Sequence, residues 1–152
     1  MTAAGRLAVV RAASVVAGVL IVDQTTKVLV RASVTPGSSE AILPGVDLVN
    51  TRNTGVAFSL LQGGGSLLIA FTAVAMVAVL AYFLRRPDRP LAWLPAGLLL
   101  GGAAGNLVDR VLDGSVTDFI DLPLWPAFNV ADIGITFGVA TLLYVLERHG
   151  DR

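Results

Sequence analysis

Residues 101–135 read GGAAGNLVDRVLDGSVTDFIDLPLWPAFNVADIGI and hold five of the eleven acidic residues of the chain. The segments on either side of this stretch are almost purely apolar. Because ionisable groups are expensive at membrane depth, carboxylates in such surroundings indicate a functional site. The central candidates are Asp118 and Asp132, each the expected partner of the other. The rest of the chain is predicted to be a frame that holds them at one membrane surface.

The composition of the whole chain is typical of a membrane protein. Of its 152 residues, 55% are hydrophobic and 14% are charged, which favours a bundle of spanning helices over a soluble core. This length predicts a single domain over residues 1–152. The formal net charge is zero and no nucleic-acid-binding module is present, so nucleic acid is not an expected partner. The chain has no cysteine and one histidine, His149, which leaves carboxylate chemistry as the main catalytic option.

Four apolar stretches predict four transmembrane helices. They cover about residues 7–30, 66–84, 91–108 and 128–146, and a span needs roughly 20 residues. The third stretch is rich in Gly and Ala between residues 97 and 105, which predicts close packing of another helix. Residues 31–65 are rich in Gly, Ser, Pro and Thr, with brief β-prone runs. The predicted fold class is an all-α membrane protein with a small extramembrane β-rich platform, residues 31–65, between helices 1 and 2.

The basic residues predict the orientation of these helices. If both termini and the loop at residues 85–90 are cytoplasmic, seven of the eleven Lys and Arg residues lie inside and four lie outside. This distribution agrees with the positive-inside rule. The acidic residues lean the other way, so the candidate site is expected near the outer surface of the membrane.

Polar residues near the ends of the first helix and the platform have two interpretations each. Asp23 and Lys27 are spaced i, i+4 in the order that favours an ion pair. Such a pair either anchors the helix end or acts directly at the site. A turn is enough to explain Asn53 and Gly55. Alternatively, the Asn53 amide hydrogen-bonds an extended peptide laid against a strand edge.

Polar residues on the third and fourth helices also have two interpretations each. Asn106, Asp109 and Arg110 are spaced so that they lie near one another on the helix surface. Arg110 either orients Asp109 or binds the last carbonyl groups of its helix. Asp132 follows Asn129 in the first turn of the fourth helix, where a carboxylate also stabilises the helix dipole. A structural cap is therefore the alternative to a catalytic Asp132.

The segment between Asp118 and Asp132 contains Pro123, Trp125 and Pro126, which suit a tight turn along the membrane surface. Two carboxylates in a site of low dielectric share one proton. In an aspartic protease, one carboxylate takes a proton from the attacking water while the other polarises the peptide carbonyl. The pattern does not assign the proton to either Asp. It equally fits an ion- or proton-coupled transporter subunit, or a scaffold without catalysis.

Five short motifs occur in a fixed order along the chain. They are DQTTK at 23–27, NTGVAF at 53–58, GGAAGNLVDR at 101–110, VTDF at 116–119 and FNVAD at 128–132. In this order and spacing they closely resemble the lipoprotein signal peptidase family, also called signal peptidase II, across nearly the whole chain. The four predicted spans and the inside termini also match that family.

The resemblance implies a bacterial inner-membrane aspartic endopeptidase. Its expected substrates are diacylglyceryl-modified prolipoproteins, cut just before the lipidated cysteine, with membrane lipid around it and no obligatory protein partner, metal or organic cofactor. It implies that Asp118 and Asp132 are the catalytic dyad. The resemblance also implies that six residues bind substrate or support the dyad; they are Asn53, Gly55, Asn106, Asp109, Arg110 and Asn129. It implies a structural role for Asp23 and Lys27.

Two parts of the chain depart from the family pattern. After the second Asp many members carry a Ser, whereas this chain has Ile133 and Gly134. A hydrogen bond from that hydroxyl to the dyad is therefore not expected here. The platform resembles the family only at the Asn53 motif.

Overall fold

The computed structural model describes residues 1–55 and 64–150 of the chain. Within these residues, four long α-helices frame one four-stranded antiparallel sheet. The helices are α1 (Ala3–Ser33), α2 (Gly64–Arg85), α3 (Trp93–Asp113) and α4 (Val130–Gly150). The strands are β1 (Ser39–Leu43), β2 (Val46–Asn53), β3 (Val116–Leu122) and β4 (Trp125–Phe128).

Three of the described helices are long and apolar enough to cross a membrane. They are Ala3–Ser33, Gly65–Arg85 and Val130–Arg148, with mean hydropathy of 1.9, 2.6 and 1.6. The prediction of four such helices is met only in part, because α3 has many small residues and ends in a polar turn. Helix α3 packs against α1, α2 and α4. A helix covered on several sides by others presents less of its surface to lipid.

Glycines on α3 let the neighbouring helices come close. A Cβ atom on Gly97 would lie 2.6 Å from the Cβ of Val15, and one on Gly101 would lie 2.9 Å from the Cβ of Val19. The next glycine at this spacing, Gly105, would place a Cβ 2.5 Å from a carboxylate oxygen of α1. Backbones can approach this closely only where small residues line the contact. The predicted close packing on α3 is confirmed.

The sheet joins two segments that are far apart in the sequence. Its strand order is β1-β2-β3-β4, and each neighbouring pair is antiparallel. The strands β1 and β2 lie in the predicted platform, and the sheet extends beyond it to β3 and β4, which follow α3. In the central pairing Thr51 lies opposite Asp118 and Asn53 lies opposite Val116. The segment after α3 becomes a strand because this pairing satisfies its backbone groups.

Several predicted boundaries shift by a few residues. Helix α1 begins before residue 7 and continues through three residues that were assigned to the platform. Helix α3 extends five residues beyond the predicted end at 108 and stops at Gly114, whose φ of 71° is left-handed. Phe128 belongs to β4 instead of the fourth helix, and Pro126 is tolerated because β4 is an edge strand. Residues 56–63 of the predicted platform, including part of the NTGVAF motif, lie outside the described residues.

The sheet is held on the ends of two helices by an apolar cluster. Val30 of α1 and the following Val34 pack against Phe119 of β3, with Val130 of α4 alongside. These contacts fix β3 over the end of the bundle. They therefore set where Asp118, the neighbour of Phe119 on β3, lies relative to α3 and α4.

Candidate active site

Asp118 lies in the middle of the sheet and is almost completely buried, with 3% of its surface exposed. Its Oδ1 accepts a hydrogen bond of 2.6 Å from Asn129 Nδ2, and its Oδ2 accepts one of 3.0 Å from Asn53 Nδ2. Burial raises the pKa of the Asp118 carboxyl from 3.8 to about 6, and the nearby charge of Asp132 adds to the rise. The two amide hydrogen bonds and the charge of Lys27 oppose that rise in pKa. Asp118 is therefore suited to hold a proton.

Asp132 lies in the first turn of α4 and forms a reciprocal cap with Asn129. The backbone N–H of Asp132 donates to Asn129 Oδ1 at 3.0 Å, while the backbone N–H of Asn129 donates to Asp132 Oδ2 at 3.2 Å. This arrangement is a capping box. The other oxygen, Asp132 Oδ1, accepts a hydrogen bond of 2.8 Å from Asn106 Nδ2. The structural cap expected as an alternative is thus present, and one carboxylate oxygen still reaches the other polar groups.

Two buried amides connect the carboxylates. Asn129 caps Asp132 and also donates from Nδ2 to Asp118. Asn106 donates to Asp132, and its Oδ1 accepts from Asn129 Nδ2 at 3.2 Å. Both amides are buried, with 0% of Asn129 and 5% of Asn106 exposed. The side chains of α3, β3 and α4 are therefore joined in a single hydrogen-bond network around the two acids.

A second network, joined to the first through Asn106, centres on Lys27, which is fully buried. Its ammonium lies 2.8 Å from Asp23 Oδ2 and 3.1 Å from Asp109 Oδ2, and it donates to Asn106 Oδ1 at 3.0 Å. The expected i, i+4 pair of Asp23 and Lys27 is confirmed. Asp23 Oδ1 also accepts the backbone N–H of Ala131 at 2.8 Å. Both residues of this pair are fully buried between α1, α3 and α4.

Three residues without a predicted role support these networks. Gln24 Nε2 donates to Asp23 Oδ2, to Asp109 Oδ1 and to the carbonyl of Gly105 at 3.0–3.1 Å. The backbone N–H of Thr117 donates to Asp109 Oδ2 at 3.1 Å. Arg31 donates to the Thr117 hydroxyl at 3.0 Å. Gln24 could have been identified from the sequence, because it is an uncharged polar residue within an apolar helix and next to Asp23.

Asn53 forms the turn that its motif predicted, and its amide also contacts the buried acid. Its Oδ1 accepts the backbone N–H of Gly55 at 2.8 Å, which is an Asx-type turn. Gly55 has φ of 75°, in the left-handed region that favours glycine. The Nδ2 group of the same side chain faces Asp118. The turn therefore aims the amide at the buried acid.

Arg110 lies beside the acids without pairing directly with Asp109. Its Nη1 donates to the backbone carbonyl of Asn106 at 3.3 Å. Within the described residues, its buried Nε has no hydrogen-bond partner. Neither predicted role, orienting Asp109 or binding the last carbonyls of α3, describes this position. The charge of Arg110 instead faces a site that also contains Asp118 and Asp132.

A cavity of about 300 Å³ adjoins Asp132 between α4 and the strands β3 and β4. Its other lining residues are Leu122, Trp125, Phe128, Ile133, Thr136 and Phe137. Ile133 thus lines an apolar space beside the carboxylate, at the position where a Ser was noted in the family pattern. A larger cavity of about 630 Å³ lies over the sheet near Asp47 and Asp121, and neither candidate acid lines it. Among residues 1–55 and 64–150, no three Asp, Glu or His side chains are grouped to hold a metal ion.

The fold is similar to solved bacterial membrane enzymes. One such structure, obtained by the in meso method at 1.9 Å resolution, superposes with a TM-score of 0.84 and 30% identity, covering 89% of this chain and 91% of the other. A second, at 2.3 Å resolution, gives a TM-score of 0.82 over 90% of this chain and 87% of the other. With its apolar helices and its buried acidic site, the chain is a multi-pass membrane enzyme.

The family description of signal peptidase (SPase) II matches residues 15–147. The chain therefore belongs to the signal peptidase II family and is a peptidase. A lipoprotein signal peptidase of Moorella thermoacetica is 42% identical over 130 residues, 84% of this chain and 87% of the relative. One from Symbiobacterium thermophilum is 42% identical over 142 residues, 86% of this chain and 92% of the relative. These likenesses support the peptidase interpretation and do not support the transporter alternative.

Proposed function

We propose that this chain is an aspartic endopeptidase that removes the signal peptide from diacylglyceryl-modified prolipoproteins, cutting just before the lipidated cysteine. The relatives named above are lipoprotein signal peptidases. The observation that carries the aspartic mechanism is the position of Asn129, which hydrogen-bonds Asp132 and Asp118 at once. Asn129 donates to the Asp118 carboxylate from its side-chain amide and to the Asp132 carboxylate from its backbone N–H, so both carboxylates lie against one residue. Two neighbouring carboxylates can share one proton and act on the same bond.

In this mechanism the two acids begin in different protonation states. Asp118 is the more deeply buried, so it holds the shared proton, and Asp132, in the first turn of α4, is the partner that takes a proton from water. Asp132 takes a proton from water as the water oxygen bonds to the scissile carbonyl carbon. The carbonyl oxygen takes the proton of Asp118, which gives a tetrahedral diol. When the C–N bond breaks, the proton on Asp132 passes to the leaving nitrogen and Asp118 recovers its proton from the diol.

The surrounding side chains have supporting roles in this proposal. Asn53 and Asn129 orient the Asp118 carboxyl, and Asn106 orients Asp132. Arg110 has a buried N–H group without a partner among the described residues, and it is available to a substrate carbonyl. The cavity beside Asp132 offers apolar space next to the reacting bond. No step of the mechanism needs a metal or an organic cofactor.

We also propose that the chain is one peptidase domain that crosses the bacterial inner membrane four times. Helix α3 would also cross the membrane, in addition to the three apolar helices α1, α2 and α4, which shield it from lipid. Both termini would lie in the cytoplasm, because the basic residues are concentrated on that side. The sheet and the two acids would then lie near the outer surface, where the lipidated end of a prolipoprotein is embedded. No obligatory protein partner is implied.

The test is a gel-shift assay with the purified protein on a diacylglyceryl-modified prolipoprotein. We expect Asp118→Asn and Asp132→Asn each to lower the cleavage rate by about 1,000-fold or more, because each removes a proton-transfer group. Both variants should stay folded, since an amide replaces a carboxylate of the same shape. Asp121→Asn, on the same strand as Asp118, is the matched control and should cleave like wild type. A folded Asp118→Asn or Asp132→Asn protein with wild-type turnover would exclude the dyad.

A further inference from the structure

Lys27 is a fully buried cation that the proposed mechanism does not use. Its exposed surface is 0%, and its ammonium contacts three oxygens, Asp23 Oδ2, Asp109 Oδ2 and Asn106 Oδ1. An ammonium group has three donors and no acceptor. These three contacts therefore use its whole hydrogen-bonding capacity. Two of them neutralise charge, whereas the third goes to an uncharged amide.

That amide is the one that contacts Asp132. Asn106 presents Oδ1 to Lys27 and Nδ2 to Asp132 Oδ1, the latter at 2.8 Å. If the amide were turned by 180°, its N–H group would point at the ammonium and its oxygen would point at the carboxylate. Both of those contacts are repulsive, because neither pair then contains a donor matched with an acceptor. Asn129 donates to the same Asn106 oxygen and favours the same orientation.

We propose that Lys27 is a positioning residue for the aspartate pair, which fixes Asn106 Oδ1 and so directs the Asn106 amide to donate to Asp132. This inference rests on the proposed function, since it concerns the carboxylate that receives the proton of water. The Asn106 amide is the side-chain donor to Asp132 Oδ1. It also holds the carboxylate in one orientation beside Asp118, which is the geometry that proton transfer requires.

Other charged groups around Lys27 are arranged so that its charge is balanced. Asp23 comes from α1 itself, and Asp109 comes from α3. Arg31 lies 4.0 Å from the second oxygen of Asp109 and compensates part of the remaining negative charge. The charge of Lys27 also acts on Asp118. Removing Lys27 alone would leave two buried carboxylates without their cation, so a single substitution does not separate folding from positioning.

The experiment removes the ion pair as a unit. In Asp23→Asn/Lys27→Met both charges are lost, the side chains keep similar lengths and the net charge of the cluster is unchanged. We expect kcat on the lipidated prolipoprotein to fall about 100-fold through loss of orientation, with KM within about twofold because substrate contacts are kept. The matched control, Asp121→Asn, removes a carboxylate of β3 that belongs to neither hydrogen-bond network and should retain wild-type kcat.

A double-mutant cycle with Asn106→Ala separates positioning from a structural role. If Lys27 acts through Asn106, removing the ion pair has little further effect on kcat in the Asn106→Ala background. Equal losses of kcat in both backgrounds, or a folded Asp23→Asn/Lys27→Met protein with the kcat of the control, would overturn the proposal. If that variant does not fold, Lys27→Met/Asp109→Asn removes the alternative pair. Failure of both to fold would assign Lys27 to the fold and also overturn it.

The wild-type lane of the same assay tests the proposed function separately. Cleavage by wild type combined with an unaffected Asp23→Asn/Lys27→Met variant rejects the positioning role and leaves the peptidase standing. A folded wild-type protein that leaves the lipidated prolipoprotein intact would overturn the proposed function, and the role of Lys27 with it.

Discussion

The two acids at the site are the same residue type in different surroundings. Asp118 lies within a sheet, covered on all sides, where the cost of removing a charge from water favours the neutral carboxyl. Asp132 lies at the start of α4, only partly buried, where the backbone N–H groups of a helix favour a negative charge. The proposed division into a proton donor, Asp118, and a proton acceptor, Asp132, rests on this difference in surroundings.

The raised pKa of Asp118 predicts how stability depends on pH. Because burial raises this pKa from 3.8 in the unfolded chain to about 6, the folded protein binds more protons at this site between those two values. The contribution of Asp118 to the free energy of unfolding is therefore largest below about pH 4 and falls as the pH rises to about 6. In Asp118→Asn this dependence is absent, so the Tm of the variant relative to that of wild type should rise as the pH increases.

Thermal unfolding in detergent between about pH 4 and pH 7 checks this prediction. Glu40→Gln, on the exposed strand β1, is the control, and its Tm should differ from wild type by the same amount at each pH. A constant difference between Asp118→Asn and wild type across this range would contradict the assigned burial effect.

At the level of elements, α3 organises the bundle because its glycines allow close contact with two neighbouring helices, α1 and α4. Gly97, Gly101 and Gly105 face α1, whereas a Cβ on Gly102 would meet the backbone of α4 at Ala131. The same helix carries Asn106 and Asp109 in its next turns. Close packing on both sides of α3 therefore brings Lys27 and Asp132 to the same amide. Without small residues at these positions the helices would stand too far apart for those hydrogen bonds.

Adding one methyl group at this contact should destabilise the protein. In Gly101→Ala the new Cβ would lie 2.9 Å from the Cβ of Val19 and 3.1 Å from the carbonyl oxygen of Val16. We expect a loss of about 1–3 kcal/mol in the free energy of unfolding from overpacking, together with reduced cleavage as α1 moves away from α3. Gly18→Ala adds the same group where nothing lies within 4 Å.

The Gly18→Ala control should gain up to about 1 kcal/mol from the higher helix propensity of alanine. Denaturant or thermal unfolding of both variants in detergent measures the difference. Equal stability of the two alanine variants would show that α1 and α3 are not in the close contact described.

At the scale of the whole molecule, polar and apolar surfaces are separated along the helix axes. The outer face of α2 is apolar and exposed, with Phe71, Val74 and Val77 each at least 66% exposed. The N-terminus and the α2–α3 connection meet at one end of the bundle, where Thr2 donates to Asp88 at 2.6 Å. The sheet and the two acids lie at the other end of α1. Its 31 residues separate these ends by about 46 Å at ~1.5 Å per residue.

The proposed orientation can be tested with single cysteines, because the natural chain has none. Glu40→Cys on β1 should react with a membrane-impermeant maleimide in intact spheroplasts. Pro90→Cys, between α2 and α3, should react only after the membrane is permeabilised, since the positive-inside rule places that connection in the cytoplasm. The reverse labelling pattern would place the acids on the cytoplasmic side. An unsubstituted chain should show no labelling under either condition.

Much of the helical frame could be predicted from the sequence, because each helix is defined by its own apolar run. The predicted spans at 7–30, 66–84, 91–108 and 128–146 each fall on a helix, with ends that differ by only a few residues. The ionisable residues at the ends of those runs were also visible, since such residues are rare beside apolar helices. The catalytic roles of Asp118 and Asp132 remain a prediction.

The tertiary structure decided the features that depend on distant partners. Strand β3 forms because β2, more than 60 residues earlier in the chain, pairs with its backbone, and no local pattern records that pairing. The contact between Lys27 and Asn106 depends on how α1 and α3 are rotated and how closely their glycines let them pack. The sequence by itself determined which segments are apolar and which residues are ionisable. Only the folded chain decided which of those residues share hydrogen bonds, because side-chain distances depend on packing between elements.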